Sequence, residues 1–163
     1  DVPFGIGSGS GVIFGVTGGV TEAVLRRLQQ GHNRVDMESI KKSGVRGDDG
    51  IKVLTYNYNG REIKAAVVNG LANADKVLQQ IKNHEAEYDF VEVMACRRGC
   101  IMGGGQPVNA GPRTRKARMK GLYDTDVNTQ IKKSNENPMI LSLYDTLLKG
   151  KEHELLHRNF SGK

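Results

Sequence analysis

Apolar and polar positions follow two different periods along this chain, and the changes of period mark its elements. Val20, Val24, Leu25 and Leu28 recur at helical spacing, which predicts a helix from Val20 to Gln30 stopped by Gly31. Ile51–Tyr58 is rich in β-branched and aromatic residues, Asn59-Gly60 is a strong hairpin signal, and Arg61–Val68 returns as the partner strand. Ile40–Val45 is the least regular of three strand-like segments and is set off by the turn Gly47-Asp48-Asp49-Gly50. Ala74, Val77, Leu78 and Ile81 predict a helix over Ala72–Lys82, and Phe90–Met94 reads as a further strand. Residues 1–12, full of glycine and serine, read as a loop. Beyond Pro107 the chain turns polar and basic. Gly111-Pro112 breaks structure, Arg113–Gln130 is helical in part, Met139–Leu148 is an amphipathic helix started by Pro138, and His153–His157 is a short last helix. The pattern predicts an α/β fold: a small mixed sheet, with its hairpin near Asn59-Gly60, flanked by helices and followed by a helical C-terminal tail. The expected division is residues 1–110 and residues 111–163.

Composition changes this picture in three places. With 163 residues and 37% apolar content the chain suffices for one compact domain or lobe. Its 21 glycines follow no fixed period, so they point to tight turns and close backbone approach rather than to a fibrous repeat. The net charge is +6, much of it in Arg113–Lys120, with a smaller patch at Lys41, Lys42 and Arg46. No aromatic residue interleaves Arg113–Lys120, so bases would find nothing to stack on and nucleic acid is not the expected partner. No apolar run reaches the length of a membrane helix and no secretory leader pattern is seen, so no membrane segment is expected and a cytoplasmic location is. A start at Asp1 suggests a piece of a longer or split polypeptide.

Candidate chemistry lies at the end of the last strand, in Met94-Ala95-Cys96-Arg97-Arg98-Gly99-Cys100-Ile101-Met102-Gly103-Gly104-Gly105-Gln106-Pro107. The only two cysteines of the chain stand here, three residues apart, followed by three glycines. A disulfide is poorly favoured at this spacing, and a secreted disulfide scaffold would carry more cysteines. Thiolates bind zinc or iron–sulfur clusters, and the spacing alone leaves both open. His32, His84, His153 and His157 form no obvious second ligand pair; His153 and His157, at i and i+4, read as surface or core-edge residues. Gly103, Gly104 and Gly105 let backbone pack against a bulky group and offer N–H donors to sulfur. Two cysteines are half the usual ligand set of a 4Fe–4S cluster. At the other end, Thr17-Gly18-Gly19 feeds a helix N-terminus, whose N–H groups are expected to be open to an anion.

The cysteine motif resembles the last signature of the iron-only, di-iron hydrogenases. Gly9–Ala23 is similar to that family too, as are Leu122-Tyr123, Asp126, Lys133–Pro138, Leu143-Tyr144 and His153–His157. The resemblance runs in order through nearly the whole chain. It implies a cofactor, the H-cluster, in which a 4Fe–4S cubane is joined through a cysteine sulfur to a di-iron unit carrying CO, cyanide and a dithiolate. Cys96 matches the cysteine that binds only the cubane, and Cys100 the bridging cysteine of the catalytic centre. Met94, Gly103 and Gly104 match residues beside the cofactor, and Phe14 and Gly15 match the loop against the di-iron unit. The implied activity is reversible reduction of protons to hydrogen, with an electron-transfer partner such as ferredoxin.

The resemblance also implies an absence. The family carries two earlier cysteine segments, and no cysteine precedes Cys96. These residues are therefore expected to be the C-terminal lobe of the catalytic domain with a small-subunit-like tail. By itself the piece should be inactive and without the complete cofactor, its partner being an N-terminal lobe with the other ligands. Arg97 and Arg98, two cations between the cysteines, and Asn135, where the family usually has His, depart from the pattern. They suggest a divergent branch, sensory or of low turnover. The alternative is a hydrogenase-like iron–sulfur protein with a sensory or cluster-assembly role and no hydrogen turnover.

Overall fold

The computed structural model describes residues 5–32, 34–47, 50–108 and 111–157. Residues 1–4 of the first loop, Asp48 and Asp49 of the predicted turn, Ala110 at the predicted division and the last six residues lie outside them.

The elements in chain order are α1 (Gly9–Val12), a 3-10 turn (Ile13–Gly15), α2 (Gly19–Leu28), α3 (Met37–Lys42), β1 (Ile51–Tyr58), β2 (Arg61–Asn69), α4 (Leu71–Lys82) and β3 (Phe90–Met94). A second 3-10 turn (Cys100–Met102), α5 (Pro112–Asn128), a third (Ser134–Glu136), α6 (Pro138–Asp145) and α7 (Glu152–Leu156) complete them. The sheet is mixed, with order β1-β2-β3: β1 and β2 are antiparallel and β2 and β3 parallel. Asn59 and Gly60 take φ of 51° and 80°, the left-handed pair of a two-residue hairpin turn. Tyr58 faces Arg61 across it, and the register runs without a slip to Ile51 opposite Val68.

Each face of β2 buries a separate set of side chains, because successive residues point to opposite sides. Ala65 and Val67 join Leu54, Leu25, Ile40 and Val45 beneath α2 and α3, while Ala66 and Val68 join Ala74 and Val77 of α4. A third cluster, Ile13, Val16 and Ile101 with Leu122 and Tyr123 beside it, packs α5 against the two segments that build the site.

Three expectations need correction. Ile40–Val45 is not a strand: α3 covers Met37–Lys42, started by Asp36, whose Oδ1 accepts the N–H of Glu38 and of Ser39, each at 3.0 Å. Residues 1–12 are not wholly loop, since Ser8 caps one helical turn at Gly9–Val12 through a 3.2 Å bond from Gly11 N–H to its Oγ. The helix after Pro138 stops at Asp145 rather than Leu148, and none of its residues is fully buried.

The tail is tied back at several points. Gly9 N–H donates to Ile131 O at 2.8 Å and Ser10 N–H to Lys132 O at 3.1 Å. Asn137 Nδ2 donates to Ile6 O at 2.8 Å. Buried Lys133 donates from Nζ to the carbonyls of Gln29 (2.6 Å) and Gly31 (2.9 Å), closing the C-terminal end of α2.

Candidate functional site

Two chain segments form the site: the turn after β3 that bears both cysteines, and the loop from Ile13 to Gly19. The cysteine turn is tightly made. Gly99 N–H donates to Cys96 O and Gly103 N–H to Cys100 O, each at 3.0 Å. Arg98 and Gly99 both take positive φ, 71° and 80°, a conformation a non-glycine residue adopts only when held. The hold is Asn69, buried at the end of β2, whose Oδ1 accepts the N–H of Arg98 at 2.5 Å. From the other side Arg118 of α5 donates from Nη1 to Ile101 O at 2.7 Å. Gly70 N–H donates to Met94 O at 2.8 Å and pins the end of β3.

The glycines are sized to this geometry. A Cβ on Gly99 would stand 2.9 Å from Gly15 O, so the cysteine turn and the Gly15 loop touch backbone to backbone. A Cβ on Gly103 would stand 2.9 Å from Cys96 Sγ. Cys96 and Cys100 are exposed free thiols, and Met94, at the end of β3, is buried. Gly104 has nothing within 4 Å of a Cβ placed on it. Phe14 is brought to a different place. It is 45% exposed and lines an apolar groove of about 350 Å³ with Val20, Val24 and Asn135, a groove lined by neither cysteine. Arg97 and Arg98 are exposed, where solvent screens their charge.

The Ile13–Gly19 loop holds a further correction. The N-terminal end of α2 is not open to an outside anion, because Glu92 of β3 occupies it. Its Oε1 accepts Gly18 N–H, and its Oε2 accepts Thr21 N–H and the Thr21 hydroxyl, all at 2.7 Å. Only 3% exposed, Glu92 puts a negative charge at the positive end of the helix and locks the strand that delivers the cysteines to the loop opposite them. Beside it lies a buried ionic cluster. Arg26 donates to both oxygens of Asp126 (2.7 and 2.6 Å) and to Glu22 Oε1 (2.6 Å), while Arg46 also pairs with Glu22. Burial pulls the Arg26 pKa down, but Asp126 and Glu22 outweigh it and hold it above the usual guanidinium value. Tyr123, under the Arg46 guanidinium at 4.0 Å, has its pKa pushed up to about 12, first by burial and then by the Glu22 charge.

Asn69, Glu92 and Arg118 were not foreseen as site residues. Glu92 left a signal, being a carboxylate inside the otherwise apolar Phe90–Met94, whereas Asn69, at the end of its strand, left none. Arg118 left none, for it is one cation in a basic run.

The donor set suits part of an iron–sulfur group. Two exposed soft thiols stand on a fixed turn, glycine leaves the space beside Cys96 free, and the buried Thr17 hydroxyl has no hydrogen-bond partner among the described residues. Among those residues no three His, Cys, Asp or Glu side chains are grouped to hold a metal ion.

Fold and site together define an α/β protein that presents a thiol pair at the C-terminal end of a parallel strand. Residues 1–104 match the C-terminal domain of the iron only hydrogenase large subunit, and residues 112–163 match the iron hydrogenase small subunit. The chain belongs to the iron-only hydrogenase family. It is 37% identical over 167 residues to iron hydrogenase 1 of Clostridium pasteurianum, covering 96% of this chain and 29% of the relative. It is 43% identical over 111 residues to the periplasmic Fe hydrogenase large subunit of Nitratidesulfovibrio vulgaris, covering 68% of this chain and 26% of that one. An FeFe-hydrogenase structure from Chlamydomonas reinhardtii superposes with a TM-score of 0.63 at 35% identity, over 98% of this chain and 48% of the other. A probable cytosolic Fe–S cluster assembly factor of Aedes aegypti is more distant, 27% identical over 88% of this chain and 31% of its own length. The chain thus spans less than a third of these curated relatives. No helix among the described residues is long and apolar enough to cross a membrane.

Proposed function

We propose that this chain is the cofactor-holding C-terminal part of a catalytic hydrogenase domain that reversibly reduces protons to hydrogen. The observation that carries the reading is the pair of exposed thiols on a turn fixed by Asn69 and Arg118, in a chain of this family. Cys96 holds the cubane alone. Cys100 would hold the cofactor as this chain's second thiolate and would be the catalytic ligand. When bound, the H-cluster would supply electron storage and the redox chemistry of proton reduction. The polypeptide supplies shape: Gly103 and Gly104 leave room beside the thiolates, buried Met94 packs beside the cofactor, and Gly15 presents backbone, while Phe14, which lines a separate groove, would reach the di-iron unit only by moving. The other cubane ligands come from polypeptide outside these 163 residues, an N-terminal lobe, so the isolated chain is inactive and lacks the complete cofactor. Residues 1–110 act as the lobe and 111–163 as its tail. A ferredoxin-like protein in the cytoplasm delivers electrons.

The test uses the complete matured protein that contains this chain. Iron and sulfide content, infrared bands of CO and cyanide, and hydrogen evolution are measured before and after Cys100→Ser. Expected are CO and cyanide bands with hydrogen evolution, both lost in the variant. Iron and sulfide without those bands would overturn the hydrogenase reading in favour of a sensory or cluster-assembly role, for which the similarity to the assembly factor speaks.

A further inference from the structure

We infer that His153 and His157 together chelate one divalent ion of the late transition metals, zinc foremost, and that the ion fastens the end of the tail. The inference stands apart from the ligands proposed for Cys96 and Cys100. His153-Glu154-Leu155-Leu156-His157 sets two histidines at i and i+4, the spacing by which a helix turns two imidazoles to one metal. α7 supplies the turn, and His157 N–H donates to His153 O at 3.2 Å, so helical spacing holds through the second histidine. The rings are stacked, with centres 5.0 Å apart and planes 27° from parallel. With metal–nitrogen bonds of about 2.0–2.1 Å, two imidazoles on one tetrahedral or octahedral ion have ring centres about 5 Å apart. The rings are therefore already at chelating distance, and rotation about their last side-chain torsion aims a nitrogen of each at one point. Both side chains are exposed and free of hydrogen bonds and ion pairs among the described residues, so binding breaks nothing.

The rest of α7 gives the ion a task. None of its five residues is buried, and Leu155 and Leu156 are more than half exposed. A single helical turn with so little packed against it is marginal in water. A bridge from i to i+4 closes only when the turn is helical, so an ion bound there holds the turn shut. Imidazole suits zinc, cobalt, nickel and copper ions, whereas magnesium and calcium take oxygen ligands. Among the described residues no third His, Cys, Asp or Glu joins the pair. The pair by itself leaves the remaining positions of the ion to water, and what it offers is a clasp.

The test uses the complete protein that contains this chain. Zinc chloride is titrated in, and amide exchange is followed by mass spectrometry across the tail, which separates this site from zinc held anywhere else. Leu155 N–H, bonded to Lys151 O at 2.9 Å, and His157 N–H report the turn. At zinc about ten times the half-saturating concentration, their exchange should slow about tenfold. His153→Ala and His157→Ala should each abolish the slowing, and magnesium chloride should not produce it. Isotope-labelled histidine reports the ligands themselves: zinc should shift an imidazole nitrogen resonance of His153 and of His157 over the same concentration range. These resonances are assigned by their loss in the variants, so the parent alone decides the matter even where a variant loosens α7. Exchange that zinc leaves unmoved, or slows equally in parent and variants, overturns the inference, as does a shift at only one of the two imidazoles.

Discussion

Gly103 and Tyr123 show how single residues set the limits of this site. Gly103 is needed for space: an alanine there would place its methyl 2.9 Å from Cys96 Sγ, so the thiol must turn away. Gly103→Ala should leave the denaturation midpoint within about 0.5 kcal/mol of the parent, as expected of a change outside the core. The same variant should markedly lower iron uptake on reconstitution, measured as iron per chain. Tyr123 acts through its proton. Its folded pKa of about 12 lies above the ordinary phenol value of 10, so the folded state keeps the proton longer than the unfolded state. The stabilisation is complete below pH 10 and is lost as pH rises through 12. It amounts to about 1–2 kcal/mol once solvent screening of a half-buried ring is allowed for. Denaturant midpoints between these limits should fall less steeply in Tyr123→Phe; equal slopes would refute the account.

At the scale of elements, α2 is the most dependent part of the fold. Its first turn is bound by Glu92, and the carbonyls of Gln29 and Gly31 just past its last turn by Lys133, so it draws its end contacts from residues remote in sequence. Glu92→Gln keeps the size but turns an amide N–H toward a backbone donor. It should cost about 1–3 kcal/mol in a urea midpoint and loosen the Gly15 loop, seen as faster amide exchange at Gly18 and Thr21. Here the reach of the sequence can be judged. The hairpin, β3, α2 and α4 were legible because period and turn chemistry are local, as at Asn59-Gly60 and across Ala74, Val77 and Ile81. The α3 helix was misread because its decisive signal, the Asp36 cap, precedes a segment too short to show a period. The cysteine pair was legible as chemistry. Its supports were not: Asn69, Glu92 and Arg118 act across 29, 71 to 74 and 17 residues, and nothing local announces the partner.

For the whole molecule, the decisive contact is between the part that carries the cysteines and the tail. Asp126 of α5, 2% exposed, pairs with Arg26 of α2, and residues 131–137 bond to residues 6–10. Asp126→Ala leaves a buried excess of positive charge on Arg26 and Arg46, and should cost about 3–5 kcal/mol in a denaturant midpoint. The two family matches meet near this seam, at residues 104 and 112. A chain cut after Pro107 should therefore elute from a sizing column as one complex, and Asp126→Ala should release the pieces. Separation of the unmutated halves would show that the covalent link holds them.

The Lys133 contact with the carbonyls of Gln29 and Gly31 has a consequence for the order of events in the cell. A helix of ten residues is marginal by itself, and this one is fastened at one end by Glu92 and at the other by Lys133. While the ribosome is still adding residues 93–132, the segment that faces the thiols has only one of its two fastenings. The loop opposite Cys96 and Cys100 gains its second support only once residue 133 is made, so under the proposed reading loading with iron and sulfur would follow synthesis of the tail rather than accompany it.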